Sequence, residues 1–381
     1  MTKELVQFIR GVYKVKEDFI PLHEPRFVGN ERKYVLDAID STFVSSVGAY
    51  VDKFEEMMCE ITGAKHAVAL VNGTNALHLS LLLAGVEEGD EVLTQPLTFI
   101  ATANAVSYCN AISHFVDVDK ETMGLSPSKL KTYLSEIAEL RNGVCYNKKT
   151  GRKISACVPM HTFGLPFYID ELVEVCNSFN IPVVEDSAES LGSYYKGKHT
   201  GTFGLLGVFS FNGNKTITSG GGGAIVTNDE RLAKKAKHLS TQAKIPHKWE
   251  YRHDFVGYNY RMPNLNAALA CAQLEQLEKF VENKRELSDL YADFFNKIVE
   301  VNLVREVENA KSNYWLNAVI LKNKAERNRF LEETNSMGIM TRPIWGLMND
   351  LKMFENSPRA DLSNAEWLEE RVVNITSSVR I

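Results

Sequence analysis

Between residues 66 and 186 the chain changes its hydrophobic period again and again. A short apolar run is followed by a turn and a helical stretch, and then the series repeats. His66 to Val71 (HAVALV) reads as a buried strand, Thr74 to Ala84 as a packed helix, Glu91 to Gln95 as a strand, Thr98 to Cys109 as a helix and Ser113 to Val118 as a strand. Ser155 to Pro159, a helix near Ile169 to Asn180 and the strand Pro182 to Glu185 continue it. Parallel strands cannot be joined by a two-residue turn, and a helix is the usual crossover. This alternation predicts an α/β fold: a large, mostly parallel sheet with helices on both faces.

The flanks extend this unit and, at the C-terminal end, add a smaller one. Glu31 to Thr42 is helical, and Val51 to Thr62 is an amphipathic helix stopping at Gly63. Val208 to Thr227 reads as two short strands around a glycine-rich turn. After Pro263 a helical pattern runs to about Lys297, followed by a strand (Tyr314 to Leu321), a helix (Ala325 to Met337) and a final helix near Asn364 to Val372. A chain of 381 residues has room for a large domain and a small one. The expected division is 1–255 for the large domain with the N-terminal segment, and 256–381 for a linking helix and a small C-terminal α+β domain. Glu139 to Lys153 carries the turn dipeptides Asn142-Gly143 and Thr150-Gly151. It reads as a surface hairpin whose charges are solvated rather than bound to a nucleotide.

Several classes of function are disfavoured. A net charge of −5 with interspersed signs offers no field for nucleic acid. No apolar run is long enough to span a membrane, and the N-terminus lacks a signal peptide's apolar core, so the cytoplasm is the expected location. Six scattered cysteines with no CxxC read as thiols in a reducing compartment. No HExxH suggests a metal site, and no GxGxxG follows the first strand as a dinucleotide site requires.

Three stretches carry candidate chemistry. Asn72-Gly73-Thr74 closes a strand and opens a helix, where free N–H groups and the helix dipole suit a phosphate; an ordinary capped turn would look the same. Glu185-Asp186 ends a strand, where ligands of open α/β sheets lie; an acid there suits a metal, a ribose hydroxyl or a cationic ring nitrogen, or merely caps the next helix. Phe209 to Lys215 (FSFNGNK) places a lysine between apolar residues and the glycines 220–223, a setting for a lysine nucleophile or a plain loop lysine. The order of the three is more specific than any one of them.

At these residues the chain resembles the DegT/DnrJ/StrS sugar aminotransferase family. The matching stretches are PRFVGNE, NGTNALHLSL, GDEVLTQPLTFIATANA, PMHTFGLP, VVEDSAESLGS, FSFNGNKTITSGGGGAIVTND, YNYRMPNLNAALA and TRPIWGLM. The resemblance implies a fold-type I transferase dependent on pyridoxal 5'-phosphate (PLP). It implies that Lys215 carries the cofactor covalently and shuttles the proton, and that Asp186 pairs with the ring nitrogen. Gly73, Thr74 and Ser210 would hold the phosphate, Phe99 would lie against the ring, and Glu189 would sit near the ring hydroxyl. Asn259 would reach the cofactor phosphate of a neighbouring subunit, making a homodimer with composite sites the active unit. Lys215 argues against the dehydratase branch, which has histidine there.

IPLHEPRFVGNE, DSTFVSSVG, CYNKKTGRK and TRPIWGLM are most similar to the branch that makes UDP-linked 4-amino sugars. That branch implies amination of UDP-2-acetamido-2,6-dideoxy-hex-4-ulose by L-glutamate, with Arg26 and Arg342 as candidate substrate contacts or, equally, structural ion-pair partners.

Overall fold

The computed structural model describes residues 1–298 and 300–380. Seven strands form the main sheet: β1 (His66–Leu70), β2 (Glu91–Thr94), β3 (Ile112–Phe115), β4 (Ile154–Val158), β5 (Val184–Asp186), β6 (Leu206–Ser210) and β7 (Gly223–Thr227). Their order is β3-β2-β4-β5-β6-β7-β1, with β4 joined to β5 through the parallel bridges Cys157–Val183 and Met160–Asp186. Only β7 runs against its neighbours. The expected mostly parallel mixed sheet is therefore present. The antiparallel β6–β7 pair comes from the glycine-rich connection between them.

Helices α1 (Thr2–Tyr13), α2 (Glu31–Asp40), α3 (Ala49–Thr62), α4 (Gly73–Leu83), α5 (Ile100–Tyr108), α6 (Pro127–Ile137), α7 (Ile169–Ser178) and α8 (Glu230–Ser240) precede α9 (Asn264–Leu274) and α10 (Leu277–Phe295). Local chemistry sets several of their ends. Asn72 caps α4 by accepting from Asn75 N–H at 2.8 Å. Asp229 caps α8 by accepting from Arg231 and Leu232 N–H, and Gly63 ends α3 at φ 74°. One face of the sheet is covered by α4, α5 and α8 through Leu77, Leu81, Val106, Ala236 and Leu239. The other packs on α3 and α9 through Phe54, Met58, Ala267, Ala270 and Cys271.

The C-terminal part holds an antiparallel sheet of β8 (Asn302–Leu303), β9 (Asn317–Ile320), β10 (Arg342–Pro343) and β11 (Val372–Ile375), in the order β8-β9-β11-β10. With it come α11 (Lys324–Ser336) and α12 (Ser363–Glu369). Two expectations need correction here. The final helix stops at Glu369, and Val372, expected at its end, instead starts β11, whose β-branched residues are buried between two strands. The long helical pattern after Pro263 is two helices, broken at Glu275–Gln276.

The division expected near residue 255 is crossed twice. Helix α1 packs Leu5, Val6 and Ile9 against Tyr291, Phe330, Val373 and Ile375 of the C-terminal core. The small residues of α9 pack with the large sheet. The apolar stripe of α1 sought burial far along the chain, which its sequence position could not reveal. Of the expected 256–381 unit, Val299 and Ile381 lie outside the described residues.

The expected hairpin pairs Ala138–Arg141 with Val144–Asn147 across Asn142 (φ 52°) and Gly143 (φ 80°). Asn147 and Thr150 bond the carboxylate of Glu91, the first residue of β2. That anchors the basic segment at the amino end of the strands, opposite the edge where the candidate residues gather.

Candidate active site

The strand register explains why distant residues meet. Gly223 of β7 pairs with Leu70 on one side and Ser210 on the other, and Val208 of β6 lies opposite Asp186. The carboxyl ends of β1, β5 and β6 therefore share one edge, where ligands of open α/β sheets bind. There a cleft of about 320 Å³ is lined by, among others, Gly73, Thr74, Phe99, Asp186, Glu189, Ser210 and Lys215.

At the phosphate-type end, a Cβ on Gly73 would stand 2.9 Å from the Ser210 Cβ, and one on Gly223 would stand 2.4 Å from the Asn72 backbone. Glycine at both places lets the first turn of α4 sit against β6 and β7. The N–H groups of Gly73 and Thr74, which a helix cannot satisfy internally, are left for a ligand.

Asp186 lies at the floor. Its carboxylate accepts from the Thr102 hydroxyl at 2.7 Å and from Ala188 N–H at 3.2 Å. Burial pushes its pKa up, and the Thr102 hydroxyl, Ala188 N–H, Lys215 and His161 only partly oppose this. Among the described residues no cation pairs directly with it, and such a buried carboxylate suits a pyridinium nitrogen.

Lys215 Nζ is 3.2 Å from Glu189 Oε1, with the lysine side chain 14% and the glutamate side chain 1% exposed. The other Glu189 oxygen accepts from Phe163 N–H at 2.9 Å. Burial pushes the Glu189 carboxyl up to about 7, against the pull of the Lys215 ammonium. Phe99 precedes α5 and is half exposed at the mouth of the cleft, its ring 6.3 Å from that of Trp345.

Three expected residues are not among those lining this cleft. Asn259 is exposed, its backbone bridged to Thr241. Arg26 pairs with Glu24 at 2.6 Å and donates to Val379 O at 3.0 Å. Arg342 is exposed on β10. Conversely, Leu77, Met160, Trp315 and Trp345 line it without having been expected there, and Thr102 supports Asp186 unannounced. Thr102 had a faint signal, lying one helical turn after Thr98 in TFIATANA. Trp315 and Trp345 had none, because they arrive from the C-terminal part.

A part-buried lysine, a buried carboxylate and an open helix N-terminus meet at one sheet edge, and all three fit the cofactor of a PLP-dependent aminotransferase. The chain belongs to the DegT/DnrJ/EryC1/StrS aminotransferase family, which matches residues 25–381. It is 39% identical to the GDP-perosamine synthase of Escherichia coli O157:H7 over 94% of this chain and 93% of that protein. It is 36% identical to the GDP-perosamine synthase of Vibrio cholerae over 88% of each. The fold matches that of aminotransferase TlmJ from Streptoalloteichus hindustanus with a TM-score of 0.85 at 24% identity, covering 94% of this chain and 93% of the other. The chain is a sugar aminotransferase that uses PLP. No helix among the described residues is long and apolar enough to cross a membrane.

Proposed function

We propose that this enzyme moves an amino group from L-glutamate to C4 of a nucleotide-linked 4-keto-sugar, with Lys215 as the residue that holds PLP. The observation that carries the reading is the convergence of Lys215, Glu189 and Asp186 beside the open turn at Gly73. Bound PLP supplies a carbonyl carbon to carry the amine and a cationic ring to accept electrons. Gly73 and Thr74 N–H groups and the Ser210 hydroxyl would hold its phosphate. Asp186, kept in place by Thr102, would keep the ring nitrogen protonated, and Phe99 would cover the ring. Glu189 would stand by the ring hydroxyl. The Lys215 amine, when free, would take and return the proton at the reacting substrate carbon, with Glu189 able to hold a proton beside it near neutral pH.

The nucleotide has two supported readings. The stretches IPLHEPRFVGNE and TRPIWGLM favour UDP-2-acetamido-2,6-dideoxy-hex-4-ulose. The relatives at 39% and 36% identity are GDP-perosamine synthases, which favours a GDP-linked sugar. Arg342, exposed on β10, and Arg26, half engaged with Glu24, are the guanidinium groups we place against the acceptor. We also place Asn259 in the site of a second copy. The exposed apolar residues Phe27, Val28, Leu36, Ile39, Phe43 and Val47 support such a homodimer. The same reading puts the enzyme in the cytoplasm.

The test is to load the enzyme with amine from L-glutamate, remove the donor, and add GDP-, UDP- and TDP-linked keto-sugars separately. The acceptor is the one that restores the visible cofactor absorbance with the largest rate. Failure of all nucleotide keto-sugars, with 2-oxoglutarate still effective, would overturn the proposal.

A further inference from the structure

The Lys215 amine has a second neighbour besides Glu189. Its Nζ stands 4.1 Å from the centroid of the Trp315 ring. A cation over an indole face is attracted by the ring's quadrupole, more strongly where water is excluded. Trp315 is 5% exposed and its ring is fixed from several sides. The indole N–H donates to Asn214 O at 2.6 Å, the residue just before the lysine. The Trp315 backbone N–H donates to Asn313 Oδ1 at 2.8 Å, and its carbonyl accepts from the buried Lys284 at 3.1 Å. The Asn313 amide then donates to the carbonyls of Glu189 and Leu191 at 2.8 and 2.9 Å. One buried asparagine thus ties together the backbones of the two residues whose side chains flank the amine, Trp315 and Glu189.

We infer that Trp315 is a positioning residue for Lys215. Its indole face and the Glu189 carboxylate form a docking place for the amine whenever it is not joined to the cofactor. This rests on the proposed role of Lys215 and adds how that amine is kept aimed between its two tasks. No bond is made or broken at Trp315. It narrows the positions the lysine chain samples, and the Nε1–Asn214 bond ties the ring to the loop that carries the lysine.

The test uses the cofactor-free protein and a water-soluble acylating reagent, with mass spectrometry reading the labelling rate of Lys215 against that of exposed lysines such as Lys65. W315L removes the aromatic face, which uncovers the amine and ends its contact with the indole. Lys215 is expected to label about 2- to 30-fold faster in W315L, the range a cation–π contact supports. W315F keeps a face and is expected to lie between W315L and the parent protein, a graded rescue that a merely structural role would not give. Equal Lys215 rates in the parent, W315F and W315L proteins would overturn the inference. If W315L fails to fold, the comparison of W315F with the parent decides it, equal rates again overturning it. Borohydride reduction of the PLP-loaded parent separates the two claims. Label on a lysine other than Lys215 sinks the proposed function, whereas label on Lys215 with unchanged acylation rates sinks only the role of Trp315.

Discussion

Glu91 and Glu189 are both buried, at opposite ends of the same sheet, and their surroundings differ in kind. At the amino end, Glu91 starts β2 and is enclosed by donors. His114 Nδ1 is at 2.8 Å, Asn147 Nδ2 at 2.8 Å and Thr150 Oγ1 at 2.6 Å, and Tyr133 braces the far nitrogen of His114 at 2.9 Å. Burial would push its carboxyl up, but the bonds from His114, Thr150 and Asn147 outweigh that and hold it below the usual carboxylate range. At the carboxyl end the partners of Glu189 among the described residues are Phe163 N–H and Lys215, burial wins, and its carboxyl rises to about 7. A saturated carboxylate fastens the hairpin to the sheet. A less fully bonded one is raised toward neutrality, as carboxylates at proton-transfer sites commonly are.

Substitutions should divide along this line. The largest effect is expected for Lys215→Ala. Turnover should fall by on the order of 10⁴-fold or more, with the visible cofactor band lost and the melting temperature nearly unchanged. A variant that keeps substantial turnover would break the contrast at its functional end. Next comes Glu91→Ala, which strands His114 and Asn147 and should cost about 3–5 kcal/mol in urea unfolding, while the folded fraction keeps its kcat. A loss in kcat without a loss in stability would reverse the assignment.

The two glutamates also predict opposite pH dependences. The folded-state pKa of Glu189 lies above its ordinary 4.5, so the folded protein binds the extra proton between 4.5 and about 7. Its contribution is fully present below 4.5 and is lost as pH rises through 7. In cofactor-free protein, Glu189→Gln should therefore gain on the parent by up to about 3 kcal/mol across that window, read by denaturation at a series of pH values. Glu91, held below its ordinary value, contributes stability above 4.5 and loses it as pH falls further. An unfolding series with the same slope for both variants would erase the distinction. The smallest effect is expected for Thr102→Val, which takes one hydroxyl from Asp186 and should slow turnover roughly tenfold, about 1.5 kcal/mol, with little change in stability.

The same contrast explains what could be read from the sequence. The strand–helix alternation, the cap at Asn72 and the stop at Gly63 are local signals, and the large sheet followed from them. Ser210 came from the family resemblance, whereas Gly73, Asp186 and Lys215 were legible as candidates because each ends or follows a strand, and a parallel sheet gathers such ends. Trp315, Asn313 and the Phe163 N–H were not, since they reach the cleft through packing of segments far apart in the chain. The packing of α1 was not legible either, because the residues it meets lie far along the chain. The helix expected near Asn364 to Val372 is present from Ser363 to Glu369, and only its end was set too late, because helix boundaries carry the weakest local signal. Asn259 and Arg342 lie outside the cleft lining of a single chain, so their proposed roles depend on a second copy or a bound substrate.

The central claim is that the amine at 215 is the one joined to the cofactor. Incubating the protein with PLP, reducing with borohydride and mapping the digest would test it most directly. The account predicts a single pyridoxyl group, on the peptide containing Lys215, and none in Lys215→Ala. A pyridoxyl group on any other lysine, with Lys215 unmodified, would contradict it.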